Sequence, residues 1–419
     1  MTNAAAQARD SILAERTFIR FWCGRLCSVF AYQMVSVAVG WQVYTISGSA
    51  LDLGFVGLAQ FAPSVALMLV VGHVADRFDR RRIVRACQWI EAAAIAAIAI
   101  ATLRGSVTEG MIFALVAVIG AARAFEFPTV TAMLPFTVPP RMLPHAVALS
   151  STAGQTGIML GPALGGFLYV AGPTAVYACC ASLFIVSSVL VGWLRPVRDA
   201  DAPLATDSRS VFAGIRFIRG QPALLGAITL DLFAVLLGGA TALLPIFARD
   251  ILNTGPWGLG LLRSAPAVGA LAMAVWLAHH PIQRHAGRKM FAGVAGFGVA
   301  TIAFGLSASL PLSLAALVVL GASDMLSVVV RQSLFQLNTP DAMRGRVSAV
   351  NAMFIGASNQ LGEFESGVTA AWFGTVPAVL VGGVGTLAIV ALWIRLFPAL
   401  AGVDRLVVHE EEDSDERPA

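Results

Sequence analysis

Charge is the scarcest commodity in this sequence. Asp, Glu, Lys and Arg together make up 12% of 419 residues, against 57% hydrophobic residues and a mean hydropathy of +0.78. A soluble domain needs about 25% charged residues to hydrate its surface, so a soluble enzyme is excluded. Lysine is nearly absent: Lys289 stands alone and every other basic residue is Arg. Cysteine is sparse too, and Cys23, Cys27, Cys87, Cys179 and Cys180 all fall inside apolar stretches. That placement excludes a secreted disulfide scaffold and reads as small buried residues. Cys23 and Cys27 share a helix face, yet no His or Cys loop completes a metal site. A phosphate-binding loop is missing as well, so neither nucleotide nor other cofactor is expected.

What the chain does have is long apolar runs. Stretches of 18 or more such residues recur along its length, and at roughly 20 residues per crossing they amount to about twelve spans. A single-anchor receptor is thereby excluded. The spans are read at about 18–46, 52–74, 84–103, 110–136, 146–170 and 173–194, then at about 222–248, 257–279, 289–309, 311–337, 346–372 and 375–397. The expected organisation is a short N-terminal segment (1–17), a six-helix half (18–194), a linker (195–221), a second six-helix half (222–397) and an acidic tail (398–419). Residues 1–16 are polar, and the first apolar run outlasts a signal-peptide core. Within the linker, Ser210 to Arg219 has apolar residues at helical spacing with Arg on one side, which suits a helix on the membrane surface. The tail around Glu410-Glu411-Glu412-Asp413 reads as solvated and disordered.

The net charge of +4 and the pI near 9.0 do not point to nucleic acid, because the Arg residues are one-sided. Arg77, Arg80, Arg81, Arg82 and Arg85 follow the second span, and Arg195, Arg198, Arg209, Arg216 and Arg219 lie in the linker. Loops of opposite parity hold only Arg104 and Arg249. Positive charge stays in the cytoplasm, so both termini and the linker are expected inside. The halves also look like copies. Ile119-Gly120-Ala-Ala-Arg123 aligns with Leu320-Gly321-Ala-Ser-Asp324 at an offset of about 201, and Gly57-Leu58 and Ala62-Pro63 align with Gly260-Leu261 and Ala265-Pro266 at about 203. Two parallel six-helix repeats are a plan of secondary transporters, with the substrate site between the halves.

Two motifs sharpen this. The first is Gly72-His-Val-Ala-Asp76-Arg77-Phe-Asp-Arg80-Arg81-Arg82, where Gly72 permits close helix approach and the Arg cluster holds the loop at the surface. The second is Gly157-Ile-Met-Leu-Gly161-Pro162-Ala-Leu-Gly165-Gly166, small residues at four-residue spacing around a helix-bending Pro. The first resembles the signature loop of the major facilitator superfamily, with Asp79 where a Gly is common; the second resembles that superfamily's antiporter motif. Together with GIRFIRGQPALLGAI and LNTPDAMRGRVSAVNAMF, they make the chain similar to the branch of enterobactin exporters and macrolide-efflux-like proteins. The resemblance implies an all-α membrane protein of twelve transmembrane helices in two pseudo-symmetric halves. It also implies a conformational latch at Gly72, Asp76, Arg77, Arg80 and Arg81. In the second half the loop is degraded, with His279 near the place of Asp76, followed by Gln283, Arg284 and Gly287-Arg288-Lys289.

Near span midpoints stand Gln33, Arg123, Glu126, Asp231, Asp324 and Arg331. A charge at the bilayer centre costs at least about 2.5–3.5 kcal/mol, so these persist if paired, hydrated or used. In the family's fold their helices line the central cavity, and they are the expected substrate and proton pathway. Matching places in the repeats predict that Arg123 faces Asp324, while Asp324 and Arg331 share a helix face and Glu126 lies within reach of Arg123. Static pairing between helices is the competing role for each. Glu363 and Glu365 are expected to pair with Arg331 or Arg263, Arg25 and Glu91 to snorkel toward the interface, and Trp41, Trp257, Trp372 and Trp393 to anchor span ends. The expected function is export of a small molecule by a monomer in a bacterial inner membrane, by alternating access with proton antiport. Its partners would be protons, cargo and lipid, with no nucleic acid, and the cargo siderophore-like or drug-like. A broad multidrug or macrolide pump, a non-transporting sensor or assembly factor, and an uptake carrier remain alternatives.

Overall fold

The computed structural model describes residue 12, residues 15–194 and residues 208–404; the side chains of residues 68, 69, 72, 73, 75, 76, 208–212, 341, 342, 344, 345, 349 and 352 lie outside the description. Most of the linker and the acidic tail are likewise outside it. Six long helices come first: α1 (Arg16–Ser47), α2 (Ala50–Arg77), α3 (Arg80–Leu103), α4 (Glu109–Met133), α5 (Leu143–Tyr169) and α6 (Pro173–Gly192). The amphipathic α7 (Ser208–Arg219) follows, and then α8 (Pro222–Leu237), α9 (Pro256–His279), α10 (Ala286–Gly305), α11 (Leu310–Asn338), α12 (Asp341–Phe373) and α13 (Thr375–Leu396). Among the described residues, nine helical stretches are long and apolar enough to cross a membrane. The long helices outside that set are α5, α10 and α12. Glycines dilute the hydropathy of α5 and α10, and Arg, Asn and Glu dilute that of α12.

Local sequence sets the ends. Ser49 and Thr108 cap α2 and α4 by accepting the backbone N–H of Asp52 and Met111. Pro opens α6, α8 and α9, where a missing N–H costs nothing. Gly48 closes α1 at φ +64°, a left-handed turn. One element differs from the sequence reading. The seventh run, expected as a single helix to residue 248, breaks after Leu237. The chain then passes through a 3-10 turn (Ala240–Leu243) to a turn of π-helix (Phe247–Ile251). The cause is Gly238-Gly239 followed by Pro245. A Cβ on Gly239 would sit 2.5 Å from the Gly362 carbonyl of α12, so only a bare backbone passes there.

The expected amphipathic helix is present as α7, which buries Ile218 and keeps Arg216 and Arg219 exposed. It rests on the start of α12, where a Cβ on Gly214 would lie 3.0 Å from the Arg346 carbonyl. The repeat is visible as matched packing. A Cβ on Gly120 of α4 would come 2.8 Å from Gln60 Cα of α2, and one on Gly321 of α11 would come 2.6 Å from Pro266 Cα of α9.

The cores show how the halves meet. The starts of α1, α3, α8 and α10 share one face of the bundle with the ends of α6 and α13. Arg20 donates to the Trp193 carbonyl (2.8 Å), Arg81 to the Leu194 carbonyl (2.9 Å), and Gly287 N–H to the Val403 carbonyl (2.9 Å). We call this the termini side. At the opposite, far side one continuous core takes residues from both halves, including Val39, Val43 and Ile112 with Leu243, Phe247 and Leu259. Toward the termini side the core divides. Phe18, Phe21, Val84, Met133 and Val191 cluster in the first half, and Leu224, Leu230, Met290, Leu334 and Val350 in the second.

Candidate transport site

Helix α1 presents Arg25, Ser28, Tyr32 and Gln33 at helical spacing, one stripe turned toward α3, α4 and α5. Glu126 on α4 is 2% exposed and accepts three hydrogen bonds. Ser28 Oγ and Gln88 Nε2 donate to its Oε1, both at 2.9 Å, and Arg123 Nη1 donates to its Oε2 at 3.0 Å. Arg123 lies 4.1 Å over the ring of Tyr32, and the Tyr32 hydroxyl donates to Gln60 Oε1 at 2.9 Å. These groups border two cavities. One, of about 220 Å³, sits within the first half and is lined by Arg25, Gln33, Gln88, Glu126, Phe127 and Val130 among others. The other, of about 470 Å³, lies between the halves, where α2 and α4 face Met353, Asn359 and Gln360 of α12. Tyr32, Arg123 and Phe127 belong to both.

In the second half, Arg331 and Asp231 form an ion pair with side chains 3% and 7% exposed, and Asp324 lies close enough to act electrostatically on both partners. The predicted path is therefore split. Gln33, Arg123 and Glu126 border a cavity; Asp231, Asp324 and Arg331 line neither of the two. Arg123 does not face Asp324, because Glu126, three residues along its own helix, takes the guanidinium instead. Arg331, expected beside Asp324, reaches across to α8. Between the halves, Arg263 of α9 donates to Ser36 of α1 and sits in the field of Glu363. Glu365 instead accepts from Thr369 (2.7 Å) and Ser366 (3.4 Å).

Several expectations need correction. Glu91 does not snorkel: it is 0% exposed, and both carboxyl oxygens lack a hydrogen-bond partner. Arg25 borders the first-half cavity, its Nε buried and without an acceptor. Trp393 is buried against Phe233 and Phe397 and donates to Thr229 at 3.0 Å, whereas Trp372 is 77% exposed at the end of α12. Sequence reasoning also passed over Tyr32, Gln60 and Gln88. Each was visible as a hydrogen-bonding side chain inside an apolar run.

The glycine motif divides its work between two faces of α5. Gly157, Gly161 and Gly165 face α1, where a Cβ on Gly161 would come 2.7 Å from Gln33 Cβ and one on Gly165 2.8 Å from Met34 Cα. Pro162 and Gly166 face α9 of the other half. A Cβ on Gly166 would lie 2.9 Å from Gly260 Cα, and Ala163 N–H donates to Ser264 Oγ at 3.1 Å. A second seam repeats this across the bundle, with a Cβ on Gly54 of α2 placed 3.2 Å from Gly367 Cα of α12.

Helix α2 runs on to Arg77, so Gly72 and Asp76 of the expected loop motif fall within its last turns, and the side chain of Asp76 lies outside the description. Arg77 ends α2 exposed, and Arg80 sits 5.0 Å over the Phe136 ring. Asp79, the departure from the family loop, caps α3 by accepting Arg81 N–H and also pairs with the Arg81 guanidinium, both at 2.8 Å. That guanidinium holds the Asp79 carboxyl below its ordinary value.

The sequence pattern of the Major Facilitator Superfamily matches residues 21–363. Among curated proteins the chain is similar to the multidrug efflux pump Tap of Mycolicibacterium fortuitum, 27% identical over 352 residues covering 80% of this chain and 84% of that protein. It is similar also to the enterobactin exporter EntS of Citrobacter koseri, 24% identical over 381 residues covering 90% of this chain and 91% of that one. Among solved structures, a nucleoside transporter NupG variant superposes with a TM-score of 0.73 at 11% identity, covering 91% of this chain and 100% of that chain, which is a likeness of fold. With its paired helical halves, its repeat and its glycine seams, the chain is a multi-pass membrane transport protein, not an enzyme, and it belongs to the Major Facilitator Superfamily.

Proposed function

We infer that the protein exports a small molecule across a bacterial inner membrane by alternating access, with both termini cytoplasmic and export coupled to inward proton movement. The observation that carries this reading is the divided core. Both halves share one core on the far side and keep separate cores toward the termini, with cavities bordered by a few polar side chains beneath the shared region. Cargo would enter from the termini side, dock around Gln33 and Arg123, and leave after the α5–α9 and α2–α12 seams part. The glycine motif of α5 and the names of the relatives support export over uptake. The two relatives also frame the cargo, one named for multidrug efflux and one for enterobactin export.

Proton coupling is supported by a charge imbalance. Arg331 pairs with Asp231, and Asp324 lies in the field of both with no ion pair of its own among the described residues, leaving one carboxylate that a proton can neutralise. The end of α2 and the loop after it, with Gly72, Asp76, Arg77, Arg80 and Arg81, form the proposed latch.

The test uses the purified chain in proteoliposomes, with a catecholate siderophore and ethidium as separate probes and a trapped pH dye reporting protons. We expect probe movement with counter-flow of protons, abolished when Glu126, Asp231 and Asp324 are together replaced by their amides. Proton flux that survives the triple replacement removes the coupling; folded protein that moves neither probe removes the exporter reading. Movement of the siderophore alone marks narrow selectivity, and movement of both marks a broad pump.

A further inference from the structure

The first-half cavity has an unspent cation. Three charged side chains border it: Arg25, Arg123 and Glu126. Glu126 is already fully engaged, with Ser28 and Gln88 on one oxygen and Arg123 on the other. Arg123 is satisfied by that carboxylate and by the face of Tyr32. Among the described residues Arg25 has no hydrogen bond or ion pair: its Nε is buried without an acceptor, and its Nη2 lies beside Gly154, 3.8 Å from where a Cβ would stand. Arg25 is half-buried, and its buried Nε without an acceptor is costly; an anion entering the cavity would supply the missing acceptor. Glu91 does not border the cavity.

Apart from Gln33, the rest of the wall is apolar, with Phe21, Val29, Val84, Met133, Ile158 and Val191 among its residues. A volume of about 220 Å³ suits a ring-sized or short-chain group, and the adjoining cavity of about 470 Å³ gives the remainder of a larger molecule somewhere to lie.

We propose that this cavity binds the anionic group of an amphiphilic cargo, a carboxylate or acidic phenolate, on the guanidinium of Arg25. The proposal rests on the exporter reading only in treating the bound molecule as cargo. It also separates two jobs between the halves. The wall of the first-half cavity sets two guanidiniums against one carboxylate and so offers a positive charge to the cargo, while the second half offers a carboxylate to the proton. Protonation of Glu126 would release Arg123 and strengthen anion binding, the wrong sign for direct exchange of cargo against proton at that residue. In this reading the exchanged proton is carried by a carboxylate other than Glu126, with the Asp231–Asp324–Arg331 group the one proposed above.

The experiment is equilibrium binding to the full chain in neutral phosphatidylcholine nanodiscs. The probes are a dansyl-labelled fatty carboxylate and its primary amide, read by dansyl fluorescence. In the parent protein the carboxylate should bind about tenfold more tightly than the amide, the scale of one charge-assisted hydrogen bond. Arg25→Gln should erase that preference and Arg25→Lys restore part of it, with unchanged thermal unfolding checking the fold. Glu126→Gln should enlarge the preference by freeing Arg123. Equal binding of both probes to the parent overturns the proposal without reference to any variant. So does a preference that survives Arg25→Gln or shrinks in Glu126→Gln. A clear preference in a protein that transports nothing would leave the site standing and remove the exporter reading instead.

Discussion

Asp231 and Arg331 show how much a single buried pair decides. Each is an ionised group taken out of water, tolerable only because the other is in contact. Asp231→Asn strands the guanidinium, and breaking a buried pair from one side costs roughly 3–5 kcal/mol. We expect a clearly lower unfolding temperature for that variant in detergent, read by tryptophan fluorescence. The double variant Asp231→Asn with Arg331→Met should regain most of the loss, since it removes the orphan too. A single variant as stable as the parent would show that the pair does not hold α8 to α11. The sequence flagged both residues, because charges stand out in apolar helices. It could not say which partners they choose. Arg123 had Glu126 at i+3 and Asp324 at a matching repeat position; proximity along one helix won, since it needs no agreement between halves. Glu91 and Arg25 were misread for a related reason. Distance from a span end is legible in sequence, but whether a side chain meets lipid, a cavity or packed neighbours is not.

At the scale of elements, α5 carries two interfaces with one motif. The i, i+4, i+8 spacing of Gly157, Gly161 and Gly165 makes a smooth face for α1, and Pro162 with Gly166 makes another for α9. The first contact lies within a half; the second joins the halves and is the one that opens in the proposed alternating-access cycle. Gly166→Ala places a methyl group against the backbone of Pro256 and Gly260, which cannot rotate aside. We expect a folded protein whose far side opens more often. Spin labels at Ser106→Cys and Ser309→Cys, exposed in the α3–α4 and α10–α11 connections, should report a longer mean distance by pulsed spin resonance. An unchanged distance distribution would mean that this seam does not hold the far side closed. Helix positions were readable from apolar runs, and most ends fall within a few residues of the sequence reading. The break in the seventh run was not, because Gly238-Gly239 reads as packing or as a turn until α12 is seen pressing on it.

For the whole molecule, the one-sided Arg distribution makes a topological prediction that the single lysine can test. Lys289 is exposed at the start of α10, on the termini side. A membrane-impermeant amine reagent should leave the protein unlabelled in spheroplasts and label Lys289 in inverted vesicles, with Lys289→Arg as the control. Labelling from outside would reverse the orientation.

The sequence by itself determined the class, the apolar helices and the asymmetry of charge. Hydropathy and topology depend on composition along one segment at a time, and the membrane reads segments. It determined the family as well, because loop and glycine motifs are local strings. Only the tertiary structure decided where the halves close, which charges are spent on each other, and that Arg25, among the described charged side chains of the cavity wall, is the one without a hydrogen bond or ion pair. Those are relations between helices distant in the chain, set by packing and by competition among several possible partners, and no single segment contains them.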